Sequence, residues 1–227
     1  MITQKQLNIV VATVALCLSA PLYAHVPYVE KADYSSEAPF VVEDVENSKS
    51  LHAALEKPGD VDIVSITIEE SARIFTSTNI PFCPQYESFS VTYALTGPGL
   101  PAPETDLPVS LPEGHGAVVV RNQFDTVDDR PVFFEPFGGR LMWEGPDFAI
   151  DDALPGEYQM IIWNESGATG NYIAVVGQKE IFGPSEIAQA QRVSPLLRDG
   201  QNLMVECNPQ AEAQEDPARF TDNSVQQ

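Results

Sequence analysis

The chain has 227 residues, long enough for one sizeable domain with a real core, and carries 33 Asp and Glu against 12 Lys and Arg, a net charge of −21. That balance excludes nucleic acid and an anionic membrane surface as partners, because no basic patch offsets the repulsion. It suits a soluble exported protein first, with a salty habitat, in which counterions screen the surface, as the second reading.

The first residues read as an export signal. Lys5 is the one charged side chain before the apolar run Leu7–Ala20, and Pro21–Ala24 ends on a small residue suited to a signal peptidase. Cleavage after Ala24 is expected, giving residues 1–24 as signal peptide, no membrane span afterwards, and a periplasmic or extracellular location. Cys17 lies within the run, but the bulky Leu16 before it argues against lipidation.

After His25, the residues Val26, Tyr28 and Phe40–Val42 are strand material, with Asp33–Glu37 as a turn. Ser50–Leu55 fits a strand or a helical turn. Pro58–Gly59 turns the chain into a strand whose Val64, Ile66 and Ile68 share a face, with Ile63, Ser65 and Thr67 opposite. Arg73–Thr78 is a further strand. Ser88–Leu95 alternates cleanly, which predicts Phe89, Val91, Tyr93 and Leu95 inward and a wet opposite face. Gly97–Pro112 holds five prolines and is expected as a surface loop. Gly116–Arg121, Val132–Phe134 and Arg140–Trp143 supply three more strands.

Pro155–Val176 then reads as two amphipathic strands joined by the small polar loop Asn164–Gly170, an expected antiparallel hairpin that places Tyr158, Met160 and Ile162 on one face. Pro184–Arg192 fits a helix with Pro in its first turn and Ile187 inward, and Pro195–Arg198 a separate turn. Such spacing predicts an all-β fold, an antiparallel β-sandwich of jelly-roll-like form with a short C-terminal helix. Its bounds are residues 25–207, followed by a disordered acidic tail at 208–227.

The succession GDVDIVSITIEE at Gly59–Glu70, PGEYQMIIW at Pro155–Trp163 and GNYIAVV at Gly170–Val176 resembles the bacterial pre-peptidase C-terminal domain. The resemblance implies a small extracellular β-sandwich of the kind that accompanies secreted enzymes as a binding or maturation module.

Candidate functional residues are few. Cys83 and Cys207 survive leader removal and, in an oxidising compartment, are expected to form a disulfide tying the C-terminal segment to the sheet. His25, if first in the mature chain, offers an α-amino group and an imidazole together. With His52 or His115 this would make a nitrogen-rich Cu(II) site. His52 reads otherwise as a partly buried structural histidine, and His115 as an exposed turn residue. Asp147, Asp151 and Asp152 cluster on an expected loop, as do Asp125, Asp128 and Asp129; loop carboxylates suit Ca²⁺, although EF-hand spacing is lacking. Asp60 and Asp62 read as turn caps or solvated acids. Trp143, Trp163, Tyr158, Phe133, Phe134 and Phe137 include candidates for a sugar-stacking platform, although sandwich aromatics mostly fill the core. GxSxG and HExxH are both absent from the sequence.

The leading expectation is therefore an exported, non-enzymatic binding module for a protein or glycan partner, with Ca²⁺ as a stabilising ion. A copper carrier or oxidative enzyme built on His25 is the alternative, and a surface-displayed structural protein the third.

Overall fold

The computed structural model describes residues 25–124, 126–200 and 203. Among the described residues, eleven strands form two packed sheets. The first, sheet A, orders β1 (Val26–Val29), β3 (Lys49–Leu55), β11 (Gly170–Val176), β5 (Ala72–Pro81), β9 (Arg140–Ala153) and β8 (Val132–Glu135). The second, sheet B, orders β2 (Phe40–Val42), β4 (Val61–Ile68), β10 (Gly156–Trp163), β6 (Thr92–Pro98) and β7 (His115–Val120). Its one described α-helix, α1, is Pro184–Arg198. The all-β sandwich with a C-terminal helix is thus the architecture, and its edges carry a detail that alternation alone does not predict. The N-terminal segment lays one short strand on each sheet, and both pairings, β1 with β3 and β2 with β4, are parallel.

The predicted inward faces meet in one core. Val64, Ile66 and Ile68 from β4, Tyr93 and Leu95 from β6, and Tyr158, Met160 and Ile162 from β10 all join it, with Leu51, Leu55, Tyr172 and Ala174 from the facing sheet. Phe89 and Val91 are buried there too, although the strand begins only at Thr92. Close packing sets local sequence: the Tyr158 ring lies where a Cβ on Gly97 would sit, 2.1 Å from its nearest carbon, so only glycine fits that turn of β6.

Four expectations are corrected. The stretch Pro155–Val176 is not a hairpin, because β10 lies between β4 and β6 in sheet B while β11 lies between β3 and β5 in sheet A. The polar loop crosses from one layer to the other. The physical reason is burial: every residue of β11 is buried, so it needs a neighbour on each side and cover on each face, which a two-stranded ribbon cannot give.

The wet face expected opposite Tyr93 is dry. Ile63, Ala94 and Ile161 form a second buried cluster, closed by Leu107, Val109 and Leu111 from the proline-rich loop. The loop earns its place by apolar burial rather than by hydrogen-bonded structure, one link being Ala117 N–H to the Pro101 carbonyl at 2.7 Å.

β9 runs from Arg140 to Ala153, so Asp147, Asp151 and Asp152 sit on a strand and not a loop. The helix runs through Pro195 to Arg198, since Leu197 is buried and Arg140 donates to its carbonyl; Ala190, Val193 and Leu197 face inward and Ile187, at 46 % exposure, does not.

Candidate functional site

The site grows from the mismatch in length between β1 and β3. β1 pairs with β3 from Val26 opposite Lys49 to Val29 opposite His52, and the Glu30 N–H continues the ladder to the His52 carbonyl at 2.9 Å. Beyond that point β3 runs on alone along this edge. The Ala54 N–H, which a longer strand would have paired, donates instead to Oε2 of Glu30 at 2.9 Å. A side-chain carboxyl thereby replaces a backbone acceptor, and this draws a charged group against the body of the sandwich.

A cleft of about 570 Å³ opens there, lined by Glu30, Asp33, His52, Ala54, Glu56 and Leu196 among others. Its size is within the roughly 300–1,000 Å³ range of small-ligand clefts. α1 forms one wall: Gln189 donates to the Pro27 carbonyl at 2.9 Å, and at the far end Arg140 donates to the Leu197 carbonyl.

The electrostatics are those of acids held away from water. Burial pushes the Glu30 carboxyl up to about 8, the negative Asp62, Glu56 and Asp33 push further, and the Ala54 N–H opposes. Asp62, on β4, is 1 % exposed. Burial raises it to about 7, helped by Asp60 and Asp33, although the Tyr172 hydroxyl donates to its Oδ2 at 2.7 Å and favours the ionised form. Asp60 is buried and accepts the Glu56 N–H at 2.6 Å, so it caps the turn as expected, and Lys57 spans Asp33 and Asp60 at 2.7 and 3.3 Å. Asp62, expected at a turn or in solvent, is instead part of the core.

His52 is buried, 6 % exposed, and its Nε2 has no hydrogen-bond partner. Burial, assisted by the positive Arg140, lowers its pKa to about 3, so the ring is neutral under ordinary conditions.

The remaining predicted residues fall elsewhere. His25 immediately precedes β1, which neighbours the β3 of His52, whereas His115 opens β7 in the other sheet, half-buried rather than exposed in a turn. Nδ1 of His25 is 2.5 Å from Oγ of Ser48. The Ser48 hydroxyl donates its single proton to the Gly177 carbonyl at 2.7 Å, so the His25 ring must be the donor in that pair. A clasp by the α-amino group and Nδ1 would first have to break this bond. Asp151 is paired with Arg73 at 2.8 Å, and Asp147 lies opposite Ser77 in the β5–β9 ladder.

Asp129 caps the short helical turn at Val127–Asp129 with its own Thr126, and Asp125 lies outside the described residues. Among the described residues, no group of three or more His, Cys, Asp or Glu is arranged to hold a metal ion.

Cys83 is buried in the core, and Cys207 lies outside the described residues, as do the expected leader and tail. Of the aromatics considered for sugar stacking, Trp143 and Tyr158 are core, while Phe134 is exposed on the edge strand β8. On its other flank α1 borders an apolar groove with Phe137, Phe182 and Ile187. Among the described residues no helix is long and apolar enough to cross a membrane.

No family model matches the chain, and no curated protein matches it. Among solved structures it is similar to PliG of Aeromonas hydrophila, a periplasmic inhibitor of g-type lysozyme, at 11% identity over 66% of this chain and 97% of that one, with a TM-score of 0.36. It is also similar to the pre-peptidase C-terminal domain of a collagenase from Bacillus anthracis, the family that its motifs resemble. That likeness has 14% identity over 64% of this chain and 99% of that one, with a TM-score of 0.34.

Proposed function

We propose that the protein is an exported, non-enzymatic binding module whose partner is a basic protein or peptide. The observation that carries this reading is the cleft at Glu30, where carboxyl groups converge on a concave surface of a chain with a net charge of −21. Such a field raises the local concentration of cations and steers a basic partner in, an effect that weakens as salt is added. Glu30, on the cleft wall, is held by the Ala54 N–H, and Asp33 by Lys57. That arrangement suits recognition, with the groups fixed in advance. Titration calorimetry of the leaderless chain with pentalysine and with pentaglutamate tests it. Binding of the first alone, weakening from 20 mM to 300 mM salt, is expected; no binding of pentalysine at low salt rejects the reading. Sequencing the N-terminus of the exported protein tests the leader, with a start at His25 expected.

Copper at His25 is the second reading. It is favoured by one observation, that His25 lies close enough to His52 for its charge to depress the His52 pKa further. An axial, nitrogen-rich Cu(II) paramagnetic resonance signal that is lost in His25→Ala would support it, and a signal that survives that change would reject it.

A further inference from the structure

We propose that the small cavity at the bulge between β5 and β9 is a built site for one buried water, which accepts the Arg130 Nε–H, bonds Thr78 Oγ1 and so ties the two layers of the sandwich together there.

The backbone makes the space. In the β5–β9 ladder Ser77 pairs with Asp147 but Asn79 with Glu144, so Gly145 and Pro146 both lie opposite Thr78. A bulge of this kind interrupts pairing and re-aims a side chain. Glycine is required in it, because a Cβ on Gly145 would stand 2.4 Å from the Thr78 carbonyl oxygen and 2.8 Å from Thr78 Oγ1. The 2.8 Å approach also shows that the hydroxyl points towards Gly145, itself on the cavity wall. The cavity has a volume of about 10 Å³ and is lined by Thr78, Ser90, Asn122, Arg130, Glu144 and Gly145 among others. One water needs roughly 10–15 Å³ and polar partners, and this cavity supplies both.

Two polar atoms on that wall are unused. Among the described residues six buried side-chain nitrogen and oxygen atoms lack a hydrogen-bond partner, and two of the six, Thr78 Oγ1 and Arg130 Nε, belong to this one lining. Thr78 is 1 % exposed. An unsatisfied buried polar atom is costly, and one water between the two removes both costs together. Arg130 is not free to swing its Nε out to solvent. Its Nη1 donates to the Phe89 carbonyl at 3.1 Å, and its guanidinium lies over the Trp143 ring at 5.8 Å. Nε–H can only donate, whereas a hydroxyl can donate or accept. Water accepts from the first and donates to the second. Ser90 and Asn122 remain on the lining for its other bonds.

Charge and size select water over an anion. The two donors alone would also suit a halide, but Asp147 and Glu144 flank the bulge in a chain of net charge −21. The water completes a chain of contacts from one layer to the other. Thr78 belongs to β5 in sheet A, and Arg130 holds the carbonyl of Phe89, which precedes β6 of sheet B.

A high-resolution crystal structure of the leaderless chain, grown with sodium bromide as the salt, tests the site directly. Expected is one peak without bromine anomalous signal, within about 3.2 Å of both Thr78 Oγ1 and Arg130 Nε. An empty cavity, a peak bonded to only one of the two atoms, or an anomalous bromide peak overturns the inference. In solution, oxygen-17 relaxation dispersion counts long-lived internal waters. Thr78→Val, which keeps the shape and loses the hydroxyl, is expected to hold one fewer than the parent, and Thr78→Ser the same number as the parent. Equal counts in all three proteins also overturn it. Should Thr78→Val not fold, the peak in the unaltered protein decides the matter.

Discussion

The outer faces of the two sheets are covered in opposite ways. On sheet B the cover is a loop, yet Leu107, Val109 and Leu111 from that loop close over Ile63, Ala94 and Ile161 and leave an apolar seal. On sheet A part of the cover is a helix, and between it and the β1 edge a cleft is left open, with Glu30, Asp33 and Glu56 on its wall. Regular structure is therefore not what makes a tight cover. The seal forms where both partners are apolar, and the opening persists where one partner carries groups that need water, a proton or a ligand.

Asp62 gives the largest test of the contrast. Its ordinary titration near 3.8 is moved to about 7 in the fold, so the folded state holds a proton that the unfolded chain has lost over that window. The sign follows: the stability this group allows is full below pH 4, declines as the pH rises from 4 to 7, and is flat above, a loss of about 4 kcal/mol. Asp62→Asn keeps an acceptor for Tyr172 and cannot ionise. Urea melts should show the variant equal to the parent at about pH 3 and more stable at pH 8. A variant less stable at pH 8 would mean that the Tyr172 hydroxyl requires the carboxylate charge and that burial is the lesser influence.

The sealed face should respond as an ordinary core. Ile161→Ala removes a wholly buried side chain from a patch in which Ala94 and Ile63 cannot follow, and a loss of about 3 kcal/mol, independent of pH, is expected from thermal or urea melts. A loss under 1 kcal/mol would show that the loop is a loose lid. The pH-independence is the sharper half of the comparison, since the titrating groups described above belong to the other side.

Cys207→Ser probes how the cover on sheet A is tied down. Leu197, at the end of α1, accepts from Arg140; the next residue in β9, Leu141, accepts the Phe82 N–H at 3.1 Å, and Cys83 follows. Nine residues beyond Arg198, Cys207 can lie at most about 30 Å from it along an extended chain. Loss of the crosslink should cost about 3 kcal/mol under oxidising conditions and nothing in excess reductant. Mass spectrometry of a non-reducing digest should find the Cys83–Cys207 peptide, and its absence would remove the tether.

How much of this was legible in the sequence follows from what alternation encodes. Period-two patterns in β4 and β10 assign inward faces correctly, because burial on one side leaves that mark. They are silent on which sheet a strand joins, so a short polar loop at Asn164–Gly170 reads as a hairpin although it spans two layers. They are silent too on a loop that folds back, which is why the dry face of β6 was unforeseen. For the site, His52 stood out by residue type, whereas Glu30 and Asp62 did not. A signal existed for both: Asp62 is in phase with Val64, Ile66 and Ile68, and Glu30 with Val26 and Tyr28. An acid on the inward phase of an apolar strand is a marker that composition, with 33 acids to choose from, hides.

His52→Leu is the smallest change and the most discriminating. The neutral ring brings a polar atom into the sandwich and leaves it unpartnered, so a leucine of similar volume should be neutral or stabilising by about 1 kcal/mol at pH 7. Towards acid the difference should grow. With its folded pKa lowered to about 3 from an ordinary 6.5, His52 contributes stability that is full above pH 6.5 and is lost as the pH falls, because the unfolded chain gains a proton that the fold refuses. The variant lacks that loss, and its melting temperature should fall less between pH 7 and pH 4. A His52→Leu variant less stable than the parent at pH 7 would show that the imidazole is an integral part of the packing, and the contrast between the two faces would be one of degree.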